Sequence, residues 1–137
     1  DFRIVVIDDR PECANAERFP EADETIAEDF KSIVGRIDIN SSSYIVIVTR
    51  GHQSDTQVLE WAVTTPAAYV GMIGSKRKVH TAFSYLKTKG ITQEQLDRIH
   101  APIGLPISAE TPEEIAVSIM AEIIHVRRQL DETKPKP

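Results

Sequence analysis

The chain has 137 residues, 41% of them hydrophobic and 27% charged, an ordinary globular composition with room for one core. Its net charge of −5 speaks against a non-specific binder of nucleic acid or of an anionic membrane. No apolar run reaches the ~18–20 residues that cross a bilayer, and no signal-peptide pattern is visible. The single cysteine, Cys13, excludes an internal disulfide framework and suits a reducing compartment. The expectation is a cytoplasmic protein with neither a nucleic-acid nor a membrane partner.

Phe2 to Ile7 (FRIVVI) reads as a strand, closed by Asp8-Asp9-Arg10-Pro11. A buried-strand pattern with no lead-in predicts a further element upstream. Acidic residues at a strand end have a use in dinucleotide-binding folds, where they accept hydrogen bonds from a ribose hydroxyl. Asp8 or Asp9 fits that role. Acidic residues also end strands simply because turns tolerate them, and both readings stand. Glu12 to Asp23 is polar, contains Pro20, and is expected to be a loop that packs Phe19. Ile26, Phe30, Ile33 and Val34 match one helical face. Alternation of strand and helix instead favours a short strand near Thr25–Ala27 and a helix from about Asp29.

After the Asn40–Ser43 loop, Ile45 to Val48 is an apolar, β-branched run that predicts a strand buried on both faces. It ends at Thr49-Arg50-Gly51-His52. Ser54 is a candidate N-cap with Gln57 completing a capping box, and Val58, Leu59, Ala62 and Val63 form the apolar face of the helix. Asp55, in its first turn, either offsets the helix dipole or serves a site. A second strand, Tyr69 to Ile73, breaks at Gly74. Ser75 caps another helix, with an inward stripe of Val79, Ala82, Phe83 and Leu86. This strand–helix–strand–helix order is the pattern of a parallel βαβ unit.

In open α/β sheets, ligands bind beyond the carboxyl ends of the strands. Here those ends carry Arg50, Gly51 and His52, then Gly74, Ser75, Lys76, Arg77 and Lys78. Three cations in a first helical turn oppose the macrodipole, at roughly 0.3–1 kcal/mol each. A solvated basic turn is one reading. An anionic ligand, held by backbone amides and by the cations, explains the cluster better. His52 is equally a surface turn residue and a candidate ligand. His80, His100 and His125 show no metal-ligand spacing, so no metal site is expected. Gly71-x-x-Gly74 is only a fragment of a glycine fingerprint.

Gly90 is a candidate C′ residue. Thr92-x-x-Gln95 starts a short helix carrying Leu96 and Ile99, and the two prolines of residues 101–108 predict an irregular or edge segment. Thr111-Pro112-Glu113-Glu114 is the clearest helix start, with Ile115, Ile119, Ile123 and Val126 as its inward stripe. Asp131 to Pro137 is expected to be a polar, disordered tail, with residues 1–130 as one domain and no internal boundary.

Five stretches taken together resemble one family. They are VIDDRPECANAERFPEAD (6–23), TRGHQSD (49–55), YVGMIGSKRK (69–78), PIGLPIS (102–108) and TPEEIAVSIMAEII (111–124). They are similar to the C-terminal Rossmann-like domain of the xanthine dehydrogenase accessory proteins, the XdhC/CoxI family. The resemblance implies a doubly wound parallel α/β sheet. It also implies a protein that binds the molybdenum cofactor (molybdopterin), assists its maturation and delivers it to a molybdenum hydroxylase such as xanthine dehydrogenase. Lys76, Arg77 and the Gly74-Ser75 amides would then hold a pterin or nucleotide phosphate. Arg50, Gly51 and His52 would line the crevice beside it, with Asp8 or Asp9 at a ribose or pterin edge.

Two departures stand out. The family domain opens with a strand and a Gly-rich turn, and the whole protein has a further N-terminal domain; neither is in this sequence. Pro106 and Ser108 replace a more acidic and glycine-like PIGLDIG pattern, so a different loop backbone is expected. Without the first strand, Phe2–Ile7 and Ile45–Thr49 share no neighbour, which leaves buried edges unpaired and predicts self-association. No catalytic constellation is visible. The alternatives are an NAD(P)-dependent oxidoreductase domain and a regulatory nucleotide-binding module.

Overall fold

Strands and helices are interspersed along the chain, and every strand pairing among the described residues is parallel. The structure is a computed structural model that describes residues 2–49 and 52–133; side chains are described for all of these except His52 and Gln53. Backbone contacts group the chain into two compact units, one ending at Asp38 and the other beginning at Ile39.

The first unit holds β1 (Val5–Asp8), β2 (Glu24–Ala27) and α1 (Phe30–Ile33). β1 and β2 pair with Val5 opposite Glu24 and Asp8 opposite Ala27. The Ile4 carbonyl accepts the amides of both Asp23 and Glu24, and the Asp23 carboxylate takes the Ile4 amide at 2.7 Å. These bonds fix the entry to β2. The strand-then-helix reading of residues 25–34 therefore holds, with Asp29 at the helix N-cap position. Phe19 is exposed rather than packed by its loop. The loop is held instead by backbone and Asn15 hydrogen bonds, which need no apolar anchor.

The second unit contains β3 (Tyr44–Ile47), α2 (His52–Ala62), β4 (Tyr69–Met72), α3 (Lys76–Thr88), α4 (Gln93–Asp97), β5 (Ile99–His100) and α5 (Pro112–Thr133). The sheet order is β3-β4-β5. On one face, Ile47, Val70 and Met72 pack against Leu59, Ala62 and Val63 of α2 and against Val79, Ala82 and Leu86 of α3. On the other, Tyr69 packs with Ile103 and with Ile123 of α5, and Tyr44, Ile73, Ile119 and Val126 border them. This is an α/β, Rossmann-like arrangement. Among the described residues, β1 pairs only with β2, and β3 only with β4.

Several sequence expectations need correction. β3 is buried on one face only: Val46 and Val48 are 40% and 57% exposed, because the cluster beneath α5 takes Tyr44 and Tyr69 but leaves them uncovered. α2 begins at His52, so Ser54 lies inside the helix and does not cap it. Ile99 belongs to β5 rather than to the preceding helix, because its backbone pairs with Val70 of β4. α5 continues through Thr133, three residues into the expected tail.

Other local signals are obeyed. Ser75 accepts the Lys78 amide at 3.2 Å, and Thr92 and Gln95 form a reciprocal capping box. Glu114 takes the amides of Glu110 and Thr111 while Thr111 takes that of Glu114. No helix is long and apolar enough to cross a membrane among the described residues.

Gly71 stands where β4 meets Ile103. An added Cβ would lie 2.5 Å from the Tyr69 hydroxyl and 2.7 Å from Ile103, whereas one at Gly35 would meet nothing within 4 Å. Gly71→Ala should therefore cost about 1–3 kcal/mol in urea unfolding, and Gly35→Ala should not lower stability.

Candidate functional site

Because β3, β4 and β5 run the same way, the segments that follow them leave at one edge of the second unit's sheet. Two backbone bonds carry the alignment past the strands. The Ile73 amide donates to the Ile47 carbonyl, and the Ile103 amide to that of Met72, each at 3.0 Å. Val48-Thr49, Ile73-Gly74-Ser75 and Ala101 to Gly104 are thus neighbours at the carboxyl edge.

Gly74 has φ +152°, a conformation that side chains resist, and it turns the chain from β4 into α3. Ser75 caps the helix. Lys76, Arg77 and Lys78 follow, all exposed, and the first turn contains no acidic residue. The first amides of a helix have no intrahelical acceptor. Ser75 Oγ serves that of Lys78, so the amides of Ser75, Lys76 and Arg77 face outward with the cations around them. Concentrated donors and positive charge are the features that an anion site requires.

At the neighbouring exit, Asp55 accepts from the Thr49 amide at 3.1 Å and also from the Thr49 hydroxyl. That carboxylate ties the end of β3 to the first turn of α2. Arg50 and Gly51 lie outside the described residues, and His52 is the first residue of α2.

The third exit is anchored from below. Glu122 of α5 accepts from the Tyr69 hydroxyl at 2.7 Å and from the Gly104 amide at 3.1 Å. His100 Nδ1 is 3.7 Å from the same carboxyl oxygen, and its ring stacks on Tyr69 at 4.7 Å between centroids. Burial, and then the bond to Glu122, pushes the Tyr69 hydroxyl far above the ordinary phenol range, so it remains a donor.

In the first unit, Asp8 ends β1 and is gripped by Arg10. The guanidinium meets both carboxylate oxygens at 3.0 Å, and the Arg10 amide adds a bond of 2.9 Å. Those contacts, the side-chain bond foremost, hold the Asp8 carboxyl well below the usual aspartate range. Asp9, beside it, is exposed.

The XdhC Rossmann domain family model matches residues 1–123. The chain belongs to this family. Among curated relatives, it is 38% identical over 127 residues to the uncharacterized protein YqeB of Escherichia coli K12, spanning 92% of this chain and 23% of that protein. It is 29% identical to a protein of Bacillus subtilis 168 described as a probable xanthine dehydrogenase subunit, over 94% of this chain and 37% of the relative. It is 25% identical to the molybdenum cofactor insertion chaperone PaoD of Escherichia coli K12, over 72% and 31%. A crystal structure titled as a xanthine dehydrogenase from Bacillus halodurans superposes with a TM-score of 0.79 at 32% identity, over 93% of this chain and 36% of that one. The chain thus spans well under half the length of these relatives.

In this XdhC-family domain, Ser108 takes φ +62°, the left-handed region that glycine prefers. Ser108 thus adopts a conformation that glycine takes more readily, at the position where the resemblance leads one to expect glycine. Sequence reasoning missed Arg10, which neutralises Asp8, and the Glu122–Tyr69–His100 cluster. Its one available signal was Glu122, a charged residue set among Ile119, Ile123 and Val126 on an otherwise apolar stripe.

Two expectations follow. Glu122→Ala removes the acceptor of two donors and should destabilise the domain by about 2–5 kcal/mol, while Glu122→Gln, which keeps an acceptor, should cost less; urea melts distinguish them. Asp8 has a lowered folded pKa, so its contribution to stability is complete above the ordinary 3.8 and is lost as pH falls below it. In Arg10→Ala its carboxyl titration, followed by NMR, should move back up towards 3.8.

Proposed function

We propose that this domain receives the anionic phosphate of the molybdenum cofactor, as cargo, within an accessory protein that assists cofactor maturation and its insertion into xanthine dehydrogenase or a related molybdenum hydroxylase. The observation that carries the reading is the turn at the end of β4. Gly74, Ser75, Lys76 and Arg77 combine a glycine bend, outward amides and consecutive cations with no carboxylate in the turn. Exposed amides and cations together fit a phosphate, and a neutral ligand would gain little there. The names of the Bacillus subtilis relative and of PaoD support a molybdenum-enzyme context.

In this reading the Ser75, Lys76 and Arg77 amides bond the phosphate oxygens, and the side chains of Lys76 and Arg77 supply charge. Arg50, Gly51 and His52 follow β3 in sequence and are proposed to line the ligand's flank. Asp8 and Asp9 are a separate element of the proposal, as acceptors for ligand hydroxyl or pterin N–H groups. The domain's own work is to bind and orient; no covalent step is assigned to it.

Equilibrium binding of the molybdenum cofactor, with NAD and plain nucleotides as competitors, tests the proposal. The Lys76→Ala/Arg77→Ala variant should bind the cofactor about tenfold or more weakly, the loss expected for two charge-assisted contacts. Binding of NAD alone would turn the assignment towards a dinucleotide-dependent protein. Unchanged cofactor affinity in the variant would move the site away from the 74–78 turn.

A further inference from the structure

α3 carries charge of one sign only. Five of the chain's 16 Lys and Arg residues fall between positions 76 and 89, a stretch with no Asp or Glu, although the whole chain holds 21 of those. The other helices of the second unit differ. α2 and α4 carry carboxylates without Lys or Arg, and α5 carries both signs. A solvated helix surface is better served by interspersed signs, because opposite charges three or four positions apart support it. α3 has no such pair. Among the described residues, none of Lys76, Arg77, Lys78, Lys87 and Lys89 is ion-paired. Lys89 lies over an aromatic ring, its Nζ 5.5 Å from the centroid of Tyr85, and Tyr85 is 43% exposed.

The cations are spread round the helix as well as along it. Val79, Ala82 and Leu86 form its buried stripe. At 100° per residue, Lys76, His80 and Lys87 border that stripe on one side, Lys78 and Tyr85 border it on the other, and Arg77 lies opposite. All six are exposed. The basic surface therefore runs the full 13 residues of α3, a length of about 20 Å. The helix dipole favours a cation at the carboxyl end, which accounts for Lys87. It accounts neither for the absence of any carboxylate on the exposed surface nor for the open tyrosine ring.

We infer that the exposed surface of α3 docks a protein partner presenting clustered Asp and Glu side chains, with Tyr85 packed in the contact and the cations around it. Charge selects this occupant. A nucleic acid or an anionic bilayer extends well past a patch of this size, and beyond the patch it would meet the field of a chain whose net charge is −5. A protein can confine its carboxylates to the area that the cations cover. A small anion would engage one end of the helix and leave the rest as it is. Tyr85 adds what charge alone does not, a rigid amphipathic ring of the kind enriched at protein interfaces. The complementary charges would steer the encounter and fix its orientation. The inference is independent of the cofactor proposal, because Tyr85, Lys87 and Lys89 stand roughly 12–18 Å along the helix from Arg77.

The test uses three probes at physiological salt, where a Debye length of about 8 Å damps non-specific attraction. They are a labelled glutamate-rich helical peptide as long as α3, a single-stranded oligonucleotide, and phosphatidylserine vesicles. The peptide should bind saturably and more tightly than the other two. Lys87→Glu/Lys89→Glu should weaken it about tenfold or more, while Tyr85→Ala should lower the affinity without changing its salt dependence. Arg18→Glu/Lys31→Glu, which makes the same change in net charge on exposed positions of the first unit, should leave binding unaltered. All these positions are exposed, so circular dichroism should not change. No binding of the peptide would overturn the inference. So would tighter binding of the oligonucleotide or the vesicles, or equal losses in the two charge-reversed variants.

Discussion

Much of the second unit depends on one carboxyl group. Glu122 sits on the inner stripe of α5 and accepts from the Tyr69 hydroxyl and the Gly104 amide. A buried polar group without partners costs on the order of 1–3 kcal/mol. The only economical arrangement is therefore one in which helix, strand and loop meet at that point. Gly104 must lie close to Ser118 of α5, and its lack of a Cβ makes the approach possible. Gly71 leaves space for Ile103 against β4 in the same way. The loop after β5 is thereby held against the sheet, even though its two prolines and irregular backbone give it little secondary structure of its own.

Fixing that loop has a consequence at the carboxyl edge. The ends of β3 and β4 are set by the parallel ladder, but the end of β5, only two residues long, is not. Its direction comes from the Ile103 bond to Met72 and from the Gly104 bond to Glu122. Three chain exits then stand side by side, with the basic turn of α3 at the middle one. The same geometry explains why Asp55 bonds Thr49. The exit of β3 gains a restraint of its own from the Asp55 carboxylate.

The electrostatics differ between the two units. At the start of α3, cations crowd a helix end that already carries positive partial charge, an arrangement that is better satisfied with an anion present. At the end of β1 the balance is internal: Arg10 closes on Asp8 and leaves that pair nearly neutral. The acidic strand end and the basic helix start are therefore unlike in kind. The first is internally compensated, while the second has no acidic residue in its turn.

The sequence by itself determined most of the elements and their order, β5 excepted. The capping boxes at Thr92 and Thr111, the Ser75 cap, the Gly90 stop and the inward stripes of α3 and α5 are local signals, carried by spacings of three or four residues that hold whatever the surroundings. The basic turn at 74–78 was legible for the same reason, and the motif resemblance named the family. What only the tertiary structure decided were relations between residues distant in sequence. Glu122 and Tyr69 are 53 positions apart, and no periodicity links them. The exposure of Val46 and Val48 depends on how far the cluster beneath α5 extends, which the β-branched run cannot encode. Even Arg10, two residues from Asp8, was hidden, since an adjacent arginine signals an ion pair only once the turn has brought its guanidinium round. Local propensity is written in the chain; partnership depends on which surfaces the fold brings together.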